Sequence, residues 1–504
     1  MSKYDTICAV STASGTGAIA VIRVSGTDSH SIARLIFRRN GKTFDDDEIM
    51  PYKAYYGEIF DSIPDDKPTI DDALVTFFKA PHSYTGEDSV EISCHGSEFV
   101  QQKILELLCV RGCRLAQPGE FSKRAFINGK LDLAQAEAVA DLIASQNEAE
   151  HRIAVNQLKG GFSKELGDLK AKLIDLTSLL ELELDFSEED VEFADRAKLN
   201  ELLDASIKHI VKLTDSFRMG NAIKNGIPVA IVGETNTGKS TLLNAILGED
   251  RAIVSDIAGT TRDTIEERFT IDGVTYRFID TAGIRETSET IEKIGIERTF
   301  KKITEADIVI GMIDGTKKTS EIYKAWKKIL SHVNTLKQKL LIYINKSDLM
   351  SASTMFSLND DYLDHMKPEY EKNIEDNGGY MTDEYCYSIT GMDLYDIHGL
   401  MTFSYLSAKN ADDVEKLKHD IRCYTKSMNV GGNDTLVTNV RHFEALTHAK
   451  ESLEKVKKGL DEKLSADLLA EDLRQALYHI GSITGEITGG DVLNNIFSRF
   501  CIGK

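Results

Sequence analysis

A glycine-rich segment near the middle of the chain has the spacing of a phosphate-binding loop. It reads Gly233-Glu-Thr-Asn-Thr-Gly-Lys-Ser240, follows the apolar run 228–232 and precedes the helical pattern 241–247. The glycines allow backbone N–H groups and the helix N-terminus to face phosphate oxygens, while Lys239 would reach the β and γ phosphates and Ser240 would bind Mg²⁺. A chance glycine-rich loop is the alternative, and the flanking strand and helix favour the phosphate loop.

Four further motifs follow in the order expected for a guanine-nucleotide site. A threonine of Gly259-Thr-Thr-Arg-Asp263 can complete the magnesium shell, and Asp280-Thr-Ala-Gly283 places a carboxylate at a strand end near the metal. In Asn345-Lys-Ser-Asp348, the Asp348 carboxylate can accept both the ring and the exocyclic N–H of guanine, a donor pair that adenine lacks. Ser407-Ala-Lys409 would close over the base. The five motifs together predict a domain that binds GTP rather than ATP.

The predicted GTP-binding residues come from all five motifs and from the segment that leads into the second one. They are Asn236, Thr237, Gly238, Lys239, Ser240, Thr241, Ser255, Asp256, Ile257, Ala258, Gly259, Thr260, Thr261, Asp280, Thr281, Ala282, Gly283, Asn345, Lys346, Asp348, Ser407, Ala408 and Lys409.

The residue that would orient the attacking water is harder to place. Ras-like GTPases have a glutamine directly after the motif that corresponds to Asp280-Thr-Ala-Gly283. Here that position is Ile284, whose side chain cannot hydrogen-bond. The chemistry therefore needs another water-orienting group and another positive charge. Most charged residues nearby are expected to be solvated, and the candidates among them are Arg285, Glu286, Glu289, Glu292 and Arg298.

The elements around these motifs divide the chain into four segments. Residues 1–125 mix short β-rich runs with turns and one apolar helical stretch, which is typical of an α+β domain. Residues 126–220 and 429–504 carry helical apolar stripes, whereas 221–428 alternates apolar strands with helices, as in a parallel sheet covered on both faces. We therefore expect an α/β GTPase domain inserted into a helical domain, although two separate helical bundles would give the same pattern.

The net charge, the cysteine content and the apolar segments of the chain argue against several classes of protein. The 504 residues are 41% hydrophobic and carry 60 basic and 81 acidic side chains, a net charge of −21, which argues against a broadly basic nucleic-acid-binding surface. The excess is local, because 351–400 has 11 acidic and two basic residues and 181–195 has eight acidic and none basic. Seven scattered cysteines and the absence of a signal or membrane segment predict a cytoplasmic protein without disulfides.

The chain resembles the tRNA modification GTPases of the MnmE (TrmE) family over nearly its whole length. The motifs that carry the resemblance are 5–7 (Asp-Thr-Ile), 22–26 (Ile-Arg-Val-Ser-Gly), 83–88 (Ser-Tyr-Thr-Gly-Glu-Asp), 94–96 (Cys-His-Gly), 118–122 (Pro-Gly-Glu-Phe-Ser), 124–126 (Arg-Ala-Phe), 130–138 and the ending 500–504 (Phe-Cys-Ile-Gly-Lys). Thr235 stands where this family usually has a proline in the phosphate loop. The acidic, tyrosine-containing segment 351–400 looks like an insertion and carries no motif to which a role can be assigned.

The resemblance implies a function. Members are potassium-activated GTPases that hydrolyse GTP to GDP and phosphate and act with an FAD- and NADH-binding partner of the MnmG (GidA) type. Together they install a (carboxymethyl)aminomethyl group at C5 of the wobble uridine of certain tRNAs. The N-terminal α+β domain forms the homodimer and binds 5-formyltetrahydrofolate or a related one-carbon folate. The cofactors implied are GTP, Mg²⁺, K⁺ and this folate, with no membrane association.

The resemblance also assigns roles to individual residues. The folate would contact Arg23, Glu87, Lys130 and Lys504, and Cys501 would lie near it with a possible part in the modification chemistry. The potassium ligands would be Asn236, Ser255, Ile257 and Thr260, and the magnesium ligands Ser240 and Thr261. Glu292 would orient the attacking water, which accounts for Ile284.

Two other functions share the nucleotide motifs. A ribosome-assembly GTPase would carry all five, but it would lack the N-terminal motifs and would normally add a basic RNA-binding domain, which the sequence does not contain. A GTP-gated scaffold would bind nucleotide with incidental turnover and no direct part in tRNA chemistry.

Overall fold

The computed structural model describes residues 5–43, 49–61, 69–185, 196–250, 267–272, 274–279, 303–334, 338–361, 385–387, 394–396, 401–427, 436–462, 464–487, 490–498, 500 and 503. The chain forms two compact units. The first unit comprises 1–144, 153–214 and 441–504, and the second comprises 145–152 and 215–440.

The strands, in chain order, are β1 (Ile7–Val10), β2 (Ile19–Ser25), β3 (Phe37–Arg39), β4 (Lys42–Thr43), β5 (Ala54–Phe60), β6 (Thr69–Phe78), β7 (Ser89–His95), β8 (Arg114–Leu115), β9 (Ile227–Val232), β10 (Glu267–Ile271), β11 (Val274–Phe278), β12 (Ile308–Asp314), β13 (Lys339–Asn345), β14 (Tyr385–Tyr387), β15 (Leu394–Asp396) and β16 (Met401–Leu406). The α-helices are α1 (Ser29–Ile36), α2 (Glu98–Val110), α3 (Glu120–Ile127), α4 (Leu133–Ala144), α5 (Glu148–Leu158), α6 (Gly161–Asp185), α7 (Arg196–Asn225), α8 (Lys239–Asp250), α9 (Thr319–Leu330), α10 (Ala352–Asp361), α11 (Ala411–Ser427), α12 (Val440–Asp461), α13 (Ala466–Thr484) and α14 (Gly490–Ser498).

The first unit begins with a sheet in the order β4-β3-β5-β6-β7-β2-β1-β8. Its strands pair antiparallel except for β1 and β8, which run parallel. Alternate residues such as Val75 and Phe77 on β6 are buried, and they share a core with Ile32 of α1 and Ile104 of α2. The predicted α+β domain is therefore confirmed.

Long helices form the rest of the first unit. Six apolar residues of α6 recur at steps of four and three, and each is at most 1% exposed; they are Phe162, Leu166, Leu169, Leu173, Leu176 and Leu180. Helix α6 packs against α13, which in turn packs against α4. The predicted helical domain with one buried stripe is confirmed, because the stripe spacing places all six side chains on one helix face.

The second unit contains a sheet in the order β10-β11-β9-β12-β13-β16-β15-β14. The strands from β11 to β16 in this order are parallel, and every residue of β9, β12 and β13 is buried. One core contains residues of α8 and α11, and the other contains residues of α9. The α/β sheet covered on both faces is thus confirmed.

The described parts of the acidic segment 351–400 belong to this second unit. Strands β14 and β15 extend the edge of its sheet, with β15 antiparallel to β16. Sequence reasoning missed both strands, because each is only three residues long and lies among polar residues.

Among the helices that the structure describes, none combines the length and apolar character needed to cross a membrane.

Candidate nucleotide-binding site and N-terminal site

The phosphate loop connects the end of β9 to the start of α8. Two close approaches require its outer glycines. A Cβ on Gly233 would lie 2.3 Å from the carbonyl oxygen of Met312, and a Cβ on Gly238 would lie 2.2 Å from Nδ2 of Asn345. Gly238 also has a φ of +99°, and Asn236 lies in the left-handed region at +60°. The loop is therefore wound tightly between β12 and β13.

The side chains of Lys239 and Thr237 hydrogen-bond to backbone carbonyl groups of this loop. The Lys239 ammonium donates to the carbonyl oxygens of Gly233 at 2.9 Å and Glu234 at 2.6 Å. The Thr237 hydroxyl donates to Glu234 at 2.9 Å, and Thr237 is buried. Ser240 follows in the first turn of α8 and is partly exposed. A positive charge, a helix N-terminus and a hydroxyl thus converge at one end of the sheet, which suits a phosphate group.

Asn345 joins the phosphate loop to two other motifs. Its Nδ2 donates to the carbonyl oxygen of Thr237 at 2.6 Å, and its Oδ1 accepts from the backbone N–H of Ala408 at 3.0 Å. The Ser407 hydroxyl donates to Oδ1 of Asp348 at 2.9 Å. Three motifs, whose bonded residues lie up to 171 positions apart in the sequence, therefore meet at one buried asparagine.

Further residues support this site without belonging to a predicted motif. Asp413 accepts from the backbone N–H of Ser407 at 2.6 Å, and Asp314 accepts from Lys346 Nζ at 2.5 Å. Burial alone would raise the pKa of Asp314, but hydrogen bonds from Lys346 and Thr316 outweigh it and hold the pKa below its ordinary value. A sequence signal existed, because Asp314 ends a buried strand at the same sheet edge as Asn345.

Several predicted site residues lie outside the described residues, and the structure does not locate them. They are Ser255, Asp256, Ile257, Ala258, Gly259, Thr260, Thr261, Asp280, Thr281, Ala282, Gly283, Glu292, Cys501 and Lys504.

The oxygen donors for a metal that the structure does describe are the Asn236 amide and the Ser240 hydroxyl. Asn236 is exposed, and Ser240 follows Lys239 directly. Neutral oxygen donors beside phosphate groups suit hard cations such as Mg²⁺ and K⁺. Within the described ranges, no three His, Cys, Asp or Glu side chains are arranged to hold a metal ion.

The first unit brings three other predicted residues into one region. Ser25, two residues after Arg23 on β2, donates to Oε2 of Glu87 at 2.8 Å. Gly86 has a φ of +77°, and a Cβ on it would lie 3.1 Å from Cγ of Lys130. The strand of Arg23, the loop of Glu87 and the stem of Lys130 are therefore neighbours.

Arg23 itself is held by aromatic and acidic neighbours. Its guanidinium lies 4.8 Å from the ring centroid of Tyr84 and 5.7 Å from that of Phe121. It also donates to Oε1 of Glu91 from Nε at 3.0 Å and from Nη2 at 2.8 Å. Sequence reasoning missed these aromatic neighbours, which hold the Arg23 cation in place through cation–π contacts.

Glu87 belongs to a network of charged side chains. Arg124 Nη1 donates to both carboxylate oxygens of Glu87, at 3.3 and 3.1 Å, while its Nη2 donates to Asp5 and Glu120. Arg114 binds the same Asp5 and Glu120. Burial raises the pKa of Asp5 and Glu120, but the two guanidinium groups lower both below their ordinary values.

The end of the chain reaches the same sheet. The Ser11 hydroxyl donates to the carbonyl oxygen of Gly503 at 3.1 Å, and a Cβ on Gly503 would lie 2.0 Å from the carbonyl oxygen of Val10. Val10 is paired with Ile22, the neighbour of Arg23. The residue before Lys504 therefore lies close to the strand of Arg23.

Two family models and several relatives match this chain. Residues 6–130 match the family model for the N-terminus of the GTP-binding protein TrmE, and residues 133–501 match that for the MnmE helical domain. The chain is 48% identical over 504 residues to the tRNA modification GTPase MnmE of Bacteroides thetaiotaomicron, with all of both chains covered.

Two further similarities are of different strength. The tRNA modification GTPase MnmE of Flavobacterium johnsoniae is 46% identical over 510 residues, again with both chains fully covered. A crystal structure of a variant of Aquifex aeolicus Era bound to GDP·AlF4⁻ is 25% identical with a TM-score of 0.25, covering 45% of this chain and 66% of that one. Full-length identity of this size, with two matching family models, leads to one conclusion. The chain belongs to the MnmE family of tRNA modification GTPases.

Proposed function

We propose that this protein hydrolyses GTP to GDP and phosphate as part of tRNA modification. The observation that carries the proposal is the junction at Asn345, where the phosphate loop meets both segments that would surround a guanine base. Lys239 would bind the β and γ phosphates from the loop that now surrounds its ammonium. Asp348, held by Ser407, would accept from the guanine N–H groups and exclude ATP.

The family membership supports a finer mechanism. Bound Mg²⁺ and K⁺ would neutralise charge that develops on the transferred phosphate. Ser240 and Thr261 would hold Mg²⁺, and the K⁺ ligands would be Asn236, Ser255, Ile257 and Thr260. Glu292 would orient the attacking water. The exposed, left-handed Asn236 at the mouth of the loop is consistent with the potassium role.

Cation dependence tests this mechanism. We expect GTP hydrolysis to be much faster in KCl than in NaCl at equal ionic strength, because Na⁺ is too small for the same oxygen ligands. Glu292→Ala should bind GDP normally and lose most turnover. Equal rates in the two salts, or substantial turnover of the variant, would contradict the respective assignments.

We propose further that the first unit binds a one-carbon folate such as 5-formyltetrahydrofolate. The carboxylate of Glu87 suits the paired donors of a pterin ring, and Arg23, Lys130 and Lys504 suit the acidic tail. The Arg23 guanidinium, held over the Tyr84 ring close to the loop of Glu87, supports an anionic group of the ligand here. Cys501 would lie nearby, with a possible chemical role.

Family membership is the support for the proposed product and partners. We propose that a homodimer acts in the cytoplasm with an FAD- and NADH-binding partner of the MnmG type. Together they would place a (carboxymethyl)aminomethyl group on C5 of the wobble uridine of certain tRNAs.

Nucleoside analysis of total tRNA tests this function. A strain that lacks the gene should lose the modified wobble uridine, and the wild-type gene should restore it. A Lys239→Ala gene should not restore it, because the phosphate loop loses its cation. If the deletion strain kept the modified wobble uridine at the level of the parent strain, the tRNA function would be overturned. That result would favour a ribosome-assembly GTPase or a GTP-gated scaffold.

A further inference from the structure

An acidic side chain outside the nucleotide motifs lies directly behind the base-recognition segment. Asp314 ends β12 and is paired with Asn345, the last residue of β13. Its Oδ2 accepts from Lys346 Nζ at 2.5 Å. Its Oδ1 accepts from the backbone N–H of Thr316 at 3.0 Å and from the Thr316 hydroxyl at 2.7 Å. Both oxygens are engaged and the residue is only 7% exposed, so the carboxylate has a fixed orientation.

The partner of this carboxylate has an unusual backbone. Lys346 has a φ of +65°, in the left-handed region that is strained for a residue with a side chain. Lys346 lies between the two residues of the predicted base-recognition motif, because Asn345 precedes it and Asp348 follows two residues later. The conformation of Lys346 therefore sets the position of Asp348 relative to Asn345.

The turn after Asp314 is fitted to the same segment. The backbone N–H of Gly315 donates to the carbonyl oxygen of Asn345 at 2.9 Å. A Cβ on Gly315 would lie 2.3 Å from Sδ of Met350 and 3.0 Å from that carbonyl oxygen, so no other residue fits without a shift. The turn 314–316 thus supports the segment 345–350 through both backbone and charge.

We propose that Asp314 is a positioning residue for guanine recognition. By anchoring the Lys346 ammonium, it fixes the spacing between Asn345, which holds the phosphate loop, and Asp348, which would accept from the base. Asp314 acts through Lys346 and does not touch the nucleotide. The inference rests on the proposed function, because it presumes that this site binds a guanine nucleotide.

The test compares GDP with IDP, which lacks the exocyclic amino group of guanine. Asp314→Asn keeps the side-chain shape and removes the charge. We expect GDP to bind about 10-fold more weakly, the scale of one charge-assisted hydrogen bond, and IDP to change much less. The preference for GDP should therefore shrink, while the turnover rate at saturating GTP should stay within about twofold because no catalytic group is altered.

A matched control separates this effect from a general loss of stability. Asp272, in the turn between β10 and β11, is exposed and lies in the same unit, so Asp272→Asn should leave the GDP:IDP ratio unchanged. Asp314→Asn that weakens both nucleotides equally, or neither, would overturn the proposal. A wild-type protein that does not prefer GDP to IDP would instead contradict the guanine assignment itself.

A second variant keeps the proposal testable if Asp314→Asn folds poorly. Lys346→Met removes the ammonium from the partly exposed end of the pair and keeps the apolar stem. The two substitutions should be non-additive in the GDP:IDP ratio, because each breaks the same ion pair. Additive effects in the double variant would show that Asp314 acts by another route.

Discussion

At the scale of single residues, the first unit contains a buried charged cluster formed by Glu137, Arg441 and His442. Glu137 of α4 accepts from Arg441 at 2.8 and 3.1 Å, and its Oε2 lies 2.7 Å from Nε2 of the buried His442. Arg441 also donates to the carbonyl oxygens of Ser482 and Ile483 in α13. Burial raises the pKa of Glu137, but the charges and hydrogen bonds of His442 and Arg441 dominate and lower it to about 2.

This cluster predicts an effect of charge removal. Glu137→Gln keeps the size of the side chain and removes the buried negative charge that faces Arg441 and His442. We therefore expect the free energy of unfolding at pH 7 to fall by about 3–5 kcal/mol. Urea unfolding followed by far-UV circular dichroism measures this change. A loss below about 1 kcal/mol, the range of exposed ion pairs, would contradict it.

The same carboxylate predicts a pH dependence. Its pKa is about 2 in the folded protein and about 4.5 when unfolded, so its stabilising contribution is complete above about pH 4.5 and disappears as the pH falls towards 2. The unfolding free energy of the wild type should therefore drop more steeply over this window than that of Glu137→Gln. If the unfolding free energies of the two proteins changed with pH in parallel, the pKa of Glu137 would not be lowered in the folded protein.

At the scale of elements, α6 shows how a periodic sequence becomes a packed helix. The six apolar residues of its stripe are buried against neighbouring helices, whereas Lys172, beside Leu173, is exposed. Helix propensity is weak and contributes little alone, so the buried stripe supplies most of the stability of this element.

The stripe predicts unequal costs for neighbouring positions. Leu173→Ala removes a fully buried side chain and should lower the free energy of unfolding by about 2–5 kcal/mol through lost burial and a residual cavity. Lys172→Ala, its control, should change it by less than about 0.5 kcal/mol. Chemical denaturation of both variants tests the difference, and similar values would mean that α6 is not packed as described.

At the scale of the whole molecule, the two units have separate cores and one convenient reporter. The chain has a single tryptophan, Trp326, which is fully buried in the second unit beside Ile322 and Phe403. Its fluorescence therefore reports on the unit that carries the phosphate loop. The circular dichroism of the long helices reports mainly on the first unit.

This arrangement predicts a ligand effect that one probe detects. GDP with Mg²⁺ at 100 times its dissociation constant should raise the unfolding free energy reported by Trp326 by about 2.7 kcal/mol, because only the folded unit binds it. Denaturant titration with tryptophan fluorescence measures the shift, and ADP at the same concentration is the control. An equal shift with ADP would contradict selection of guanine by Asp348.

Much of this protein could be predicted from the sequence, because its signals are local. The phosphate loop needs one strand, eight consecutive residues and one helix, and the α6 stripe needs only helical periodicity. The short strands β14 and β15 could not be predicted, because they form by pairing at the sheet edge rather than through their own propensity.

Only the tertiary structure decided which distant side chains meet. Asn345 bonds to Thr237 across 108 positions, and Glu137 contacts His442 across 305. The Asp314–Lys346 pair likewise depends on β12 and β13 being neighbours in register. The sequence by itself thus determined the family, the motifs and the elements, since these depend on short-range spacing. The contacts that hold the motifs in place depend on how separate strands and helices pack, and no local pattern encodes that.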